Sequence, residues 1–362
     1  MYECPAFYYL NILQMLKTFI GLVFIATLFL LGCNDTVKST EESNTTKKEV
    51  VDTIKIKIDS LSKAIRETPK NDALFYQRGH LYFINGEIAK AVNDLEIAKK
   101  LNPDSVLYYL DLSEIELRRG ESGIAKNILE GAHERFPENV ELMIRLANIH
   151  MAVEQYQKAR TYLIKASRIE PRNARLYLLS SMIFQQINMI DKAISELYLA
   201  IKYDPNYYEA HVMLGLITAE QNKDIAIDHY MNAIRIEPKN PEAYYNLAMY
   251  YQNSGRYKKA LQTYGKGLKV IDSTLQHFIY NSAFVYENYL NKPDSALVYY
   301  QNVINYFPDD YRVYFRMGQC YEDLGQEKKA MASYDMCLKV NPNYEEAFEA
   351  LSRLSEKHNK NR

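Results

Sequence analysis

The sequence predicts an all-α protein built from a repeated helix–turn–helix unit, and three observations carry that prediction. Prolines fall on a ruler: Pro69, Pro103, Pro137, Pro171, Pro205, Pro238, Pro308 and Pro342, at steps of 34, 34, 34, 34, 33, 70 and 34 residues. The long step holds two units, with Asp272 in the vacant place. Twelve residues before each of the eight positions that follow Pro69 stands an alanine: Ala91, Ala125, Ala159, Ala193, Ala226, Ala260, Ala296 and Ala330. Four and seven residues after that alanine come a large and then a small side chain. The large ones are Leu95, Leu129, Leu163, Leu197, Tyr230, Tyr264, Tyr300 and Tyr334; the small ones run from Ala98 to Cys337. Steps of four and three mark one face of a helix, and self-similarity at a fixed period marks a stack of repeats.

At the N-terminal end, Phe19 to Leu31 is apolar apart from Thr27, with Lys17 upstream. A positive flank and a short apolar run form an export signal, and a comfortable membrane span needs about 20 residues. The run closes Leu30-Leu31-Gly32-Cys33, which resembles the lipobox of bacterial lipoproteins. That resemblance implies cleavage of residues 1–32 and acylation of Cys33. Met15-Leu16-Lys17 is the conventional signal start, which makes residues 1–14 an over-extended leader. Residues 33–49, the lipidated Cys33 and a stretch of Ser, Thr, Asn, Glu and Lys, read as a flexible tether.

Residues 50–69 follow as a half repeat that caps the array, with Ile54, Ile58, Leu61 and Ile65 on one helical face. Eight full repeats fill 70–342. Their first helices share an aromatic or large residue, a Leu-like residue and a small one, as in Tyr109-x-x-Leu112-Ser113, Met143-x-x-Leu146-Ala147 and Tyr244-x-x-Leu247-Ala248. Gly86, Gly120, Asn222, Gly255 and Gly325 mark the turns within repeats. Asp104, Asn139, Asn173, Asn206, Asn240, Asp309 and Asn343 are expected as N-caps. Residues 343–362 supply a capping helix and tail, with Ala347, Phe348, Leu351 and Leu354 as its apolar stripe.

This pattern resembles the tetratricopeptide repeat (TPR), although Phe, Tyr, Met or His replaces the usual tryptophan, and Arg78 and Asn281 replace the usual leucine. The resemblance implies a right-handed superhelical solenoid with a groove lined by the first helices. TPR proteins that grip a C-terminal carboxylate need Lys or Arg beside the aromatic anchor, but here that position is apolar from Tyr76 to Phe315. The asparagine ladder of O-linked N-acetylglucosamine transferases is matched only by Asn246. What remains is an apolar, methionine-containing stretch: Leu178, Met182, Val212, Met213, Leu216, Tyr245, Met249, Ile279 and Tyr280. Methionine adapts to varied apolar partners. Either these side chains receive a protein or peptide, or they pack against the adjoining helix.

Basic and acidic residues nearly cancel, 44 against 45, so the basic excess of a nucleic-acid binder is missing. Four cysteines, none in a CxxC pair, exclude a disulfide scaffold and that type of metal site. Cys320 and Cys337 stand where small packing residues belong, as a disulfide or as free thiols. No phosphate loop, HExxH or nucleophile elbow is present, so neither a catalytic residue nor a cofactor or metal is expected. The sequence reading is therefore a lipid-anchored scaffold or assembly adaptor of the bacterial cell envelope, on the outer membrane facing the periplasm. The alternative is a regulatory or sensor subunit of an envelope complex.

Overall fold

The ruler translates directly into helix ends. In the computed structural model, which describes residues 40–360, the second helix of every repeat stops two residues before its ruler position. The chain divides into two compact units, residues 1–187 and 188–362. The described part of the first unit contains α1 (Thr40–Glu67), α2 (Asp72–Ile84), α3 (Ile88–Leu101), α4 (Val106–Arg118), α5 (Ser122–Arg135), α6 (Val140–Ala152), α7 (Tyr156–Ile169) and α8 (Ala174–Gln186). The second contains α9 (Ile190–Tyr203), α10 (Tyr208–Glu220), α11 (Ile225–Ile236), α12 (Pro241–Asn253), α13 (Tyr257–Val270), α14 (Gln276–Asn288), α15 (Pro293–Tyr306), α16 (Tyr311–Asp323), α17 (Glu327–Val340) and α18 (Glu345–Lys360). The protein is all-α, with eighteen helices among the described residues, arranged as helix–turn–helix pairs.

The alanine column is completely buried, all eight residues at 0% exposure. The leucine–tyrosine column four residues on is buried with it. A methyl side chain at a helix crossing lets two backbones approach, and the large residue one turn on fills the space beside the crossing.

The turns within repeats are more regular than the sequence suggested. A residue with positive φ occurs in all eight: Gly86, Gly120, Glu154, Asn188, Asn222, Gly255, Asn291 and Gly325. Glycine adopts this geometry freely and asparagine tolerates it. Glu154 does neither.

Helix starts follow two designs. Asn71, Asn139, Asn173, Asn240 and Asp310 accept a backbone N–H of the first turn, true side-chain caps. Asp104, Asn206 and Asp309 stand one residue too early, the N-caps being Ser105, Tyr207 and Asp310. The N–H groups of Asp104, Asn206 and Asn343 instead donate to Asn102, Asp204 and Asn341, which precede the prolines. Asp272, in the vacant proline position, builds the same kind of turn by accepting from the Thr274 N–H at 2.8 Å. An Asx turn thus stands where proline is missing, and α13 still ends at Val270.

Both ends differ from expectation. Helix α1 begins at Thr40, inside the stretch expected as tether. Its Ile58 and Ile65 are buried as a cap requires. Arg78, which departs from the leucine pattern, ties this cap down: it donates to both carboxylate oxygens of Asp94 (2.7 and 2.8 Å) and to Ser62 Oγ of α1 (3.0 Å). Asp94 is almost fully buried, and a bidentate, charge-assisted pair satisfies both groups. At the other end Ala347, Ala350 and Leu354 are buried, but Phe348 is 63% exposed. Phe348 occupies the register of the aromatic anchor, and no later helix among the described residues covers that flank.

Candidate interaction face

The nine residues of the expected groove divide between the units, Leu178 and Met182 in the first and the other seven in the second. Leu178, Val212 and Ile279 are only 8%, 4% and 3% exposed, so they are core and not ligand-facing. The cause is the residue's place beside the anchor. Side chains at this position pack on the first helix of the next repeat: Leu110 with Leu142, Ile144 with Leu176, Val212 with Ala243, and Ile279 with Val313. Met182, Met213, Leu216, Tyr245, Met249 and Tyr280 are half-buried.

In the second unit, contacts run from one first helix to the next. The Tyr208 hydroxyl donates to Glu242 (3.3 Å), Tyr245 meets His277 edge-on at 5.2 Å, Gln276 donates to Asp310 (2.8 Å), and Phe315 meets Tyr344 at 5.2 Å. Steps of four, three and four place Glu209, Met213, Leu216 and Glu220 in one stripe of α10. The same register on α12 carries Glu242, Asn246, Met249 and Asn253. On α14 it carries Gln276, Tyr280, Ala283 and Glu287, and on α16 Arg312, Arg316, Gln319 and Asp323. Sequence reasoning found the apolar part of this face and missed its carboxylates, although Glu209, Glu242 and Glu346 all lie two residues before the anchor position.

The charges on this face are unevenly matched. Arg312 is held by Asp310, Arg316 by Glu287 at 3.6 Å, and Arg353 by Glu322 at 2.8 Å. Glu209, Glu220, Asp323, Glu346 and Glu349 have no hydrogen-bond or ion-pair partner among the described residues. Burial alone pushes the Glu220 carboxyl above the usual range. Burial also pushes Glu242 up; the Tyr208 hydroxyl opposes this, and the charges of Glu209 and Glu237 reinforce it. Beside α18, Phe315, Gln319, Asp323, Glu346, Glu349 and Arg353 help to line a cleft of about 460 Å³.

Cys320 and Cys337 are free, fully buried thiols. Burial pushes both thiols up, Cys337 to about 11, so neither presents a reactive thiolate. No group of three or more His, Cys, Asp or Glu placed to hold a metal occurs among the described residues. None of the described helices is long and apolar enough to cross a membrane. Cys33 and residues 1–32 lie outside the described residues.

Tetratricopeptide repeat family models match residues 73–105, 117–183, 174–207, 229–262, 279–310 and 311–344, together more than half of the chain. The chain belongs to the tetratricopeptide repeat family, a class of protein–protein interaction scaffold, and none of these matches is to a catalytic family. It is 28% identical over 144 residues to the TPR repeat-containing protein MJ1428 of Methanocaldococcus jannaschii, covering 37% of this chain and 25% of that protein. It is 25% identical over 130 residues to anaphase-promoting complex subunit 3 of Schizosaccharomyces pombe, covering 35% of this chain and 19% of that one. The chain thus spans a quarter or less of the length of these relatives. Among solved structures, the C-terminal part of a TPR repeat-containing protein from Cytophaga hutchinsonii shares the fold. Its TM-score is 0.58 at 16% identity, over 68% of this chain and 99% of that chain.

Proposed function

We propose that this TPR protein is a membrane-anchored scaffold that captures a protein or peptide on the first-helix face of its second unit, in the bacterial cell envelope. The observation that supports capture is the set Met213, Leu216, Tyr245 and Met249, which remain half-buried on successive first helices. Desolvating such side chains against a partner releases roughly 25 cal/mol per Å² before ordering costs. Anchoring rests on the run Phe19–Leu31 followed by Cys33. One acyl chain of myristoyl size holds only marginally, so stable attachment calls for more than one chain. The reading places the repeats on the periplasmic side of the outer membrane, carried by that anchor.

The decisive variant is Met213→Glu. Crosslinking in native membranes, followed by pull-down, is expected to recover more than tenfold less partner, about 1.4 kcal/mol, with helical circular dichroism unchanged. Unfolding would show that Met213 is core, and undiminished capture by a folded variant would move the site elsewhere. Metabolic labelling with a clickable fatty acid tests the anchor: Cys33→Ala should lose the label, and equal labelling of both proteins refutes lipidation.

A further inference from the structure

We infer that the partner segment captured on the second unit is basic: an amphipathic stretch whose Lys and Arg side chains flank an apolar ridge. This rests on the first-helix face being the capture surface and adds the partner's chemistry. The argument is charge complementarity. Each arginine of the face is already held by an acid of this chain: Arg312 by Asp310, Arg316 by Glu287 and Arg353 by Glu322. An acidic partner would therefore meet, at every arginine, a carboxylate of this chain already in place and repelling it.

The carboxylates are in the opposite condition. Glu209 and Glu220 flank Met213 and Leu216 in their stripe on α10, and neither has a partner among the described residues. On α12 Glu242 stands one turn before Asn246 and two before Met249, and it accepts only the Tyr208 hydroxyl, at 3.3 Å. Asp323, Glu346 and Glu349 repeat the condition around the cleft beside α18. Glu220 and Glu242 are exposed carboxyls on these two first helices, both raised above the usual range by the protein around them, and the free protein sets no cation against either. A carboxylate with no cation of its own gains Coulomb energy from each cation brought to it, and no existing pair has to be broken first. The apolar residues between the acids supply the ridge that a peptide's hydrophobic side chains would cover. Such a face attracts cations along its length and penalises like charge.

The test uses the whole chain and two short fluorescent peptides with one leucine pattern, one bearing Lys and Arg between the leucines and the other Glu. Fluorescence anisotropy should show the cationic peptide binding at least about tenfold more tightly, with affinity falling as salt rises. Glu220→Gln and Glu242→Gln, which keep shape and remove charge, should each weaken the cationic peptide several-fold and leave the anionic one no weaker. Met213→Ala should weaken both peptides. Equal affinity for the two peptides, with both sensitive to Met213→Ala, would overturn the basic partner while leaving the capture face intact. Cationic binding that ignores all three substitutions would overturn both readings. Tighter binding of the anionic peptide, or binding of neither, also overturns the inference. So does self-association of the chain that excludes the cationic peptide, because a second copy would then be the occupant.

Discussion

The first four repeats fill the gap beside each helix crossing with leucine, and the last four fill it with tyrosine. Leu95, Leu129, Leu163 and Leu197 are as deeply buried as Tyr230, Tyr264, Tyr300 and Tyr334. The two halves therefore solve one packing problem with different chemistry. Leucine needs only volume, but tyrosine brings a hydroxyl that must be satisfied once buried. Tyr264 donates to Gln252 Oε1 at 3.3 Å and Met249 Sδ at 3.1 Å, Tyr300 to Glu287 at 2.6 Å, and Tyr334 to Glu322 at 2.6 Å. The oxygen acceptors Gln252, Glu287 and Glu322 each belong to the last turn of their repeat's first helix. In the last two repeats the core is thereby tied to carboxyl groups at the helix ends, and the Glu287 and Glu322 so engaged are also those that hold Arg316 and Arg353.

The largest expected effect lies in the leucine half. Leu129 is fully buried among Ala125, Ala132, Leu142 and Leu146. Leu129→Ala should cost about 2–5 kcal/mol by chemical denaturation, transfer loss and cavity together. A loss below 1 kcal/mol would mean that the crossing collapses around the missing side chain.

Next comes the space that the ring occupies. A Cβ on Gly318 would lie 2.4 Å from Tyr334 Cε1, and one on Gly215 would lie 2.5 Å from Tyr230 Cε1. The matching residue in the third repeat is Ala147, packed in one core with Leu163. Gly318→Ala should therefore cost about 1–3 kcal/mol by overpacking. Adding Tyr334→Leu recreates the alanine–leucine pairing and should recover part of the loss. Strict additivity of the two substitutions would show that ring and glycine are uncoupled.

Removing one hydroxyl gives a smaller change. Tyr300→Phe keeps the ring and takes a donor from Glu287, whose carboxyl burial already pushes up against the Tyr300 bond and Arg316. About 1–2 kcal/mol should be lost, and the Glu287 carboxyl, followed by NMR, should titrate still higher. An unchanged titration would mean that Arg316 alone satisfies it.

Glu154 tests the turns, and the effect is favourable. It is the one left-handed turn residue that is neither glycine nor asparagine, with φ of 58°. Glu154→Gly should raise stability by about 1 kcal/mol, whereas Gly120→Glu should lower it. No gain at Glu154 would point to a compensating role for its side chain.

How far these features can be read from sequence depends on their range. The alanine column, the leucine–tyrosine column and the helix ends were legible because each is set by contacts that recur with the repeat. The turn at Glu154 was not, because composition gave it no glycine or asparagine to mark it. Arg78 looked like a defect in the pattern because its partner Asp94 belongs to another helix. Leu178, Val212 and Ile279 illustrate the remaining limit. One helical position separates a residue packed on the next first helix from one that meets solvent, and an apolar side chain suits either. The carboxylates of the same face were passed over because charged residues on a helix usually mean solvation. Their importance depends on which arginines are already engaged, and that requires three-dimensional placement.

The smallest effect is a dependence on pH that should differ between the halves. Burial is the first cause that lowers His133 and His150 in the first unit, and His211, His229 and His277 in the second. His211 and His229 lie 5.8 Å apart, ring to ring. Arg235 adds to the lowering of His211, and His211 to that of His229, with Asp228 opposing. A histidine lowered in the fold is neutral there while the unfolded chain, with an ordinary value near 6.5, already takes up protons. Its contribution is therefore complete above about pH 6.5 and is lost as the pH falls toward the depressed folded value, at no more than about 1.4 kcal/mol per pH unit for each proton. The raised carboxyls of Glu220, Glu242 and Glu287 act with the opposite sign, since acid favours their folded state. Histidine variants isolate the first effect because they leave those carboxyls unchanged. Thermal unfolding between pH 8 and about pH 5.5 should show wild type losing stability more steeply than His211→Gln/His229→Gln, with a smaller difference for His133→Gln. A double variant as acid-sensitive as wild type would show that this pair accepts its proton without penalty. The paired histidines would then add nothing to the acid sensitivity of the tyrosine half.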